Sequence, residues 1–124
     1  MPCREDTPRD DHPNFYWLQE DHLRLRAAEA GFAFTIWRPQ VLLGGAPGAA
    51  MNPVAPIGAY AALCRELDRP FAFPGASTAL WEVVDTGLLA EALAWAATAP
   101  AAAGQTFNLT NGDVLVPSHA WRHV

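Results

Sequence analysis

Few residues in the chain are of the types that do chemistry, and their spacing narrows what they could do. Tyr16 stands in the string Asn14-Phe15-Tyr16-Trp17-Leu18-Gln19-Glu20-Asp21. At its ordinary pKa of about 10 a phenol is a neutral hydrogen-bond donor, useful as an acid or oxyanion stabiliser when a cation lies beside it. The 8 basic side chains are all arginine, so the chain has no lysine for that duty. Glu20 is four residues on and shares the helix face of Tyr16; its charge would raise the phenol's pKa, and it can equally pair with Arg24 at the next i,i+4 step. On spacing alone the string reads as helix surface sooner than as a site. His119 and His123 are an i,i+4 pair with no acid or cysteine cluster beside them, and Glu20-Asp21-His22 point in three directions around a helix, so no metal site is expected. Cys3 and Cys64 lack the CxxC spacing of a zinc knuckle or redox pair and make no disulfide framework, which suits a reducing cytoplasm. Asn108-Leu109-Thr110 matches a glycosylation sequon but reads as strand-end hydrogen bonding.

These residues depend on the elements around them. Met1 to Pro13 is charged and broken by Pro2, Pro8 and Pro13, an extended leading segment. Asn14 to Ala30 is rich in helix formers, with Gly31 placed to stop the helix in a left-handed cap. Phe32 to Arg38, aromatic and β-branched and closed by Pro39, predicts a buried strand. Gly44 to Asn52 holds three glycines, a loop whose backbone could approach a ligand closely. A second helix is expected from about Pro53 to Leu67, short strands at Phe71 to Phe73 and Leu80 to Val84 around the turn Pro74-Gly75, and a third helix capped by Asp85 or Thr86 and running to about Thr98. Ala99 to Gly104 ends it, Gln105 to Thr110 predicts a last strand, and Asn111-Gly112-Asp113 a turn. The alternation of helix and strand implies parallel crossovers in an α/β sheet, with too few strands to cover both faces of a doubly wound one. Unpaired edges would invite association, which leaves a homo-oligomer open.

Composition sets the outer bounds. The 124 residues are 51% hydrophobic and 17% charged, enough for a core and too little charge for a disordered chain. Thirteen acids leave a net charge of -5, which argues against a backbone-tracking nucleic-acid binder. The start of the chain has no signal-peptide pattern, and no apolar run reaches the ~20 residues of a membrane span, so a soluble cytoplasmic protein without a membrane partner is expected. The five tryptophans read as packing residues rather than base-stacking platforms.

The string Asn14 to Asp21 resembles the NFYxxxED signature of the progesterone 5β-reductase and iridoid synthase-like enzymes, a branch of the extended short-chain dehydrogenase/reductases in the NAD(P)-dependent epimerase/dehydratase superfamily. Trp37-Arg38-Pro39 before a glycine-rich loop, Met51-Asn52, Phe73-Pro74-Gly75, Asp85 with Leu89-Ala90, Trp95-Ala96 and the run Phe107 to Val114 follow in family order. The resemblance covers nearly the whole chain. It implies an NADPH-dependent oxidoreductase that reduces the activated carbon–carbon double bond of a small enone or enal. Tyr16 matches the catalytic tyrosine; Arg38 and Pro39 would sit beside the nicotinamide end of the cofactor, and Asn52 would line the substrate side. Trp17 departs from the second tyrosine common in the plant enzymes, so steroid or iridoid substrates do not follow. In the family the phosphate-binding glycine loop and the catalytic lysine come from upstream, and members continue beyond the position of Val124. The resemblance therefore implies that residues 1–124 are an internal or C-terminal segment of a Rossmann-fold domain, with some substrate-domain structure, without its N-terminal cofactor half and inactive alone. A sugar-nucleotide epimerase or dehydratase of the same superfamily and a non-catalytic truncated remnant are the alternative readings.

Overall fold

The computed structural model describes residues 4–45, 48–49, 51–75 and 79–123. Cys3 and part of the loop expected from Gly44 to Asn52 lie outside the described residues. The chain is α/β and forms two compact units, one running up to Arg38 and taking in Ala92–Asn108, the other formed by Pro39–Glu91 and the chain from Leu109 onward. No helix among the described residues is long and apolar enough to cross a membrane.

The first unit is organised by α1 (Phe15–Ala30). Its ends are where the sequence put them. Asn14 caps it in an extended conformation, its side chain accepting the Tyr16 N–H at 3.0 Å, and Gly31 at φ 70° donates back to the Ala27 carbonyl. Both caps satisfy backbone groups that a helix end leaves open. The face α1 buries is unusual, because Glu20 and Ala27 are turned inward while Leu18 stays 70% exposed and Leu25 57%. Strand β1 (Ile36–Pro39) is shorter than the run Phe32 to Arg38 predicted. Gly104 N–H donates to the Phe34 carbonyl and Thr35 Oγ1 to the Ala102 carbonyl, so a 3-10 turn at Pro100–Ala102 claims that stretch before a ladder can start. From Ile36 onward β1 pairs with a later strand at Thr106–Leu109. Trp37, Trp95 and Phe107 pack as a trio, with Trp37 and Phe107 ring centroids 5.0 Å apart, and Ala102 is fully buried nearby in sequence. The leading segment is tied down, since Glu5 Oε1 accepts the Asn108 N–H at 2.9 Å and Arg9 reaches α1.

In the second unit a strand absent from the sequence reading, β2 (Val41–Leu43), follows Pro39 after one residue. Helix α2 (Val54–Glu66) matches its expected range within a residue at each end. β2 pairs in parallel with β3 (Trp81–Asp85) in the register Val41 to Val83, Leu42 to Val84 and Leu43 to Asp85. That confirms a parallel pair joined through a helix. The other edge of β3 is antiparallel, paired to Val114–Leu115 after the Asn111-Gly112 turn, in which Gly112 takes φ 89°. Val84, on the central strand, is completely buried. Helix α3 (Thr86–Ala96) begins directly after β3, with Asp85 Oδ1 accepting the Gly87 and Leu88 N–H groups. Phe71 to Phe73 is not a strand. Pro70 and Pro74 flank it, the Tyr60 hydroxyl donates to the Ala72 carbonyl at 3.0 Å, and Phe71 and Phe73 turn their rings onto Trp121, leaving no ladder for the segment. The strands in chain order are thus completed by β4 (Thr106–Leu109) and β5 (Val114–Leu115), and the chain closes with a short helix α4 (Pro117–Ala120) and a 3-10 turn that the sequence reading did not contain.

Candidate active site

Tyr16 lies in the first turn of α1, 61% exposed, with its ring 4.0 Å from that of Phe15. Helix propensity does not hold it there; the Asn14 cap does, by accepting the Tyr16 backbone N–H and fixing where the first turn begins. An open groove of ≈ 610 Å³ is lined by its neighbours Phe15 and Trp17 with Arg9, His12 and Asp21, and not by Tyr16 itself. Trp17, the departure from the second tyrosine, packs against the leading segment: Arg9 lies 5.5 Å over its ring and His12 meets it edge-on at 5.0 Å.

One turn after Tyr16, Glu20 carries the strongest polar constellation of the first unit. Arg38 Nε donates to Glu20 Oε1 and Arg38 Nη2 to Glu20 Oε2, both at 2.8 Å, the two-pronged geometry that makes arginine–carboxylate pairs strong. Arg9 adds a third donor to Oε2 at 3.3 Å and holds Asp21 with its other nitrogen. Arg24, the partner that helical spacing offered, bonds the Thr106 hydroxyl instead. The physical reason is one of magnitude. An exposed i,i+4 pair is worth a few tenths of a kcal/mol, whereas a two-pronged charged contact at a buried carboxylate is worth several times that. The Arg38 hydrogen bonds hold the Glu20 carboxyl below its ordinary range, against burial, which pushes it up; Arg9 acts in the same direction as Arg38. The same contact raises Arg38, and Arg9 lowers Asp21.

A carboxyl whose folded value is lowered contributes above its unfolded value of about 4.3 and ceases to as pH falls through the folded one. Glu20→Gln is therefore expected to cost about 1–2 kcal/mol of unfolding free energy at pH 7, and urea titrations repeated at decreasing pH should show that gap narrow below pH ~4. A gap that stays constant with pH would mean that the Glu20 charge contributes nothing.

Of the four residues singled out by sequence, Tyr16 and Arg38 lie in the first unit, and Pro39 and Asn52 in the second. The structure links Arg38 to α1 through Glu20. Its guanidinium is engaged by that carboxylate through Nε and Nη2, and Pro39 ends β1 directly after it. Asn52 organises its own loop. Its Nδ2 donates to the Gly44 carbonyl at 2.7 Å, its Oδ1 accepts the Val54 N–H at 3.2 Å, and its backbone N–H donates to Ala49. Oδ1 keeps a second lone pair for another donor. Sequence reasoning missed the role of Glu20 because its partners come from segments far away in the chain, and only the adjacency of Glu20 and Asp21 hinted at it. Among the described residues no three histidine, cysteine or acidic side chains gather as a metal site.

No protein-family model matches the sequence. Curated proteins do. The chain is 39% identical over 125 residues, 98% of its length, to (S)-8-oxocitronellyl enol synthase of Antirrhinum majus. It is 39% identical over 127 residues to another (S)-8-oxocitronellyl enol synthase, from Camptotheca acuminata, and 37% identical over 127 residues to 3-oxo-Δ(4,5)-steroid 5β-reductase of Arabidopsis thaliana. It spans about a third of the length of these relatives, 32% in each case. The resemblance read from the motifs is thereby borne out. The chain is related along nearly all of its length to the progesterone 5β-reductase and iridoid synthase-like enzymes.

Proposed function

We propose, from this kinship with enol synthases and a steroid 5β-reductase, that the chain is the tyrosine-bearing part of an NADPH-dependent reductase acting on the activated double bond of a small enone or enal. One observation carries the reading: identity of 37–39% that runs through 98% of the chain to proteins whose names describe such reactions. The structure contributes a parallel strand pair and a tyrosine held by its cap in the first turn of a helix. In this reading the chain belongs to a doubly wound, Rossmann-like domain of which it supplies residues 1–124, and the remainder supplies the phosphate loop.

NADPH, when bound, supplies a hydride for the β-carbon of the substrate. The residues of this chain orient the substrate and manage the charge that follows. Negative charge develops on the carbonyl oxygen as the enolate forms, and the Tyr16 hydroxyl donates a hydrogen bond to that oxygen. A donor preorganised for the transition state contributes more than one that binds the neutral carbonyl equally well. Tyr16 is exposed, so it can reach a substrate without rearrangement of α1. Pro39 and the backbone of Arg38 flank the nicotinamide end, and Asn52 borders the substrate through the loop it braces.

The test is the full natural polypeptide assayed by NADPH absorbance with simple enones and enals and, separately, with nucleotide sugars. Enone-dependent oxidation with saturated product supports the reading. Turnover of nucleotide sugars alone would move the chain to the epimerase and dehydratase branch, and tight NADPH binding without turnover of either would make it a non-catalytic remnant.

A further inference from the structure

Glu20 is the one charged residue among the described residues that is buried, and the mechanism above gives it no task. Its two carboxylate oxygens accept three hydrogen bonds, two from Arg38 and one from Arg9. With its lone pairs so engaged it is a poor proton acceptor, and Glu20, Asp21, Arg9 and Arg38 together form a network with two charges of each sign. A general-base role and a net field on Tyr16 are both disfavoured by this arrangement. What the pair does hold is geometry. Two parallel N–H···O contacts fix distance and rotation between a helix and a strand, which a single contact cannot do.

We propose that Glu20 is the positioning residue of the site: its two-pronged pair with Arg38 fixes α1, and with it Tyr16 one turn earlier, against the nicotinamide-side end of β1. The inference rests on Tyr16 being the hydrogen-bond donor to substrate. Glu20 shares the helix face of Tyr16, so a rotation of α1 about its axis moves both together. Arg38 is the last residue of β1 before Pro39, so the pair grips the strand at the end where the cofactor ring is placed. Displacing a reacting group by about 1 Å costs on the order of 10²-fold in rate, and loosening this clamp acts on turnover more than on binding.

The experiment uses the full natural polypeptide, with kcat, KM for an enone and Kd for NADPH measured for Glu20→Gln, Arg38→Lys and the double variant, each checked for folding by its melting temperature. Glu20→Gln keeps the shape and removes the charge; Arg38→Lys keeps the charge and removes the fork. Each is expected to lower kcat about 10- to 100-fold, with Kd for NADPH within about twofold. The double variant should be no worse than the poorer single one, because the two residues act as a unit. Arg26→Gln, which breaks only the exposed Arg26–Glu29 pair further along α1, should stay within about twofold of the wild type. Full turnover in Arg38→Lys, or losses in the two single variants that multiply in the double, would overturn the proposal. Tyr16→Phe measured alongside separates the two ideas. If it retains full turnover, the reading of Tyr16 fails; if it loses turnover while Glu20→Gln and Arg38→Lys do not, only the positioning role fails.

Discussion

Tyr16→Phe, in a polypeptide that carries the nucleotide-binding portion together with this chain, is expected to lower kcat about 10²- to 10³-fold while the NADPH dissociation constant stays within about twofold. On the proposed role of Tyr16 the magnitude is that of removing one preorganised donor to a developing oxyanion, about 3–4 kcal/mol. The ring is kept, so its contact with Phe15 survives, and the helix cap uses the Tyr16 backbone rather than its hydroxyl. Folding should not change. Single-turnover measurements of NADPH consumption check this without interference from product release. Equal loss of cofactor affinity and turnover would mean that the hydroxyl serves binding and not the reaction.

Gly44→Ala should have the largest effect on stability away from α1. A Cβ at Gly44 would overlap the Thr86 hydroxyl and come within 2.9 Å of Thr86 Cγ2. Gly44 ends the run of β2 and Thr86 starts α3, directly after β3, so the two glide past each other at the carboxyl ends of a parallel strand pair. Neither element can retreat without breaking the ladder or the Asp85 cap. Overpacking of this kind costs about 1–3 kcal/mol. Thr86→Ala removes the two nearest atoms but leaves Thr86 Cβ at 3.0 Å and the φ of 154° at Gly44, so Gly44→Ala with Thr86→Ala should recover part of the loss in a urea-unfolding cycle. Strictly additive effects would show that Thr86 is not the cause. The Gly44 carbonyl also receives the Asn52 amide, so the single variant is expected to raise KM for substrate if Asn52 borders it.

What could be read from the sequence follows from how far each signal reaches along the chain. The ends of α1 were legible because Asn14 and Gly31 act on their own neighbours, and the Asn111-Gly112 turn for the same reason. β2 and β5, three and two residues long, contain too little of a period to be recognised, and both exist because β3 offers them an edge. Phe71 to Phe73 has strand composition but spends its aromatic rings on Trp121, a partner some fifty residues away that no local pattern announces. Tyr16 was found through a motif, which says which residue to test and nothing of what surrounds it. The reverse holds for Glu20. Spacing paired it with Arg24, and only the folded chain brings Arg38 and Arg9 to it.

The inverted polarity of α1, with a carboxylate turned in and leucines turned out, bears on how the molecule behaves as a colloid. Near pH 5.2 the sequence has no net charge, and the repulsion that keeps copies apart disappears. Leu18 and Leu25, both exposed, are then free of that repulsion. Glu20, held below its ordinary range by Arg38, is still ionised at that pH, and its clamp is intact. Turbidity of this chain near its isoelectric point is therefore expected to be clustering of folded molecules that clears on return to neutral pH, with acid unfolding setting in only at lower pH.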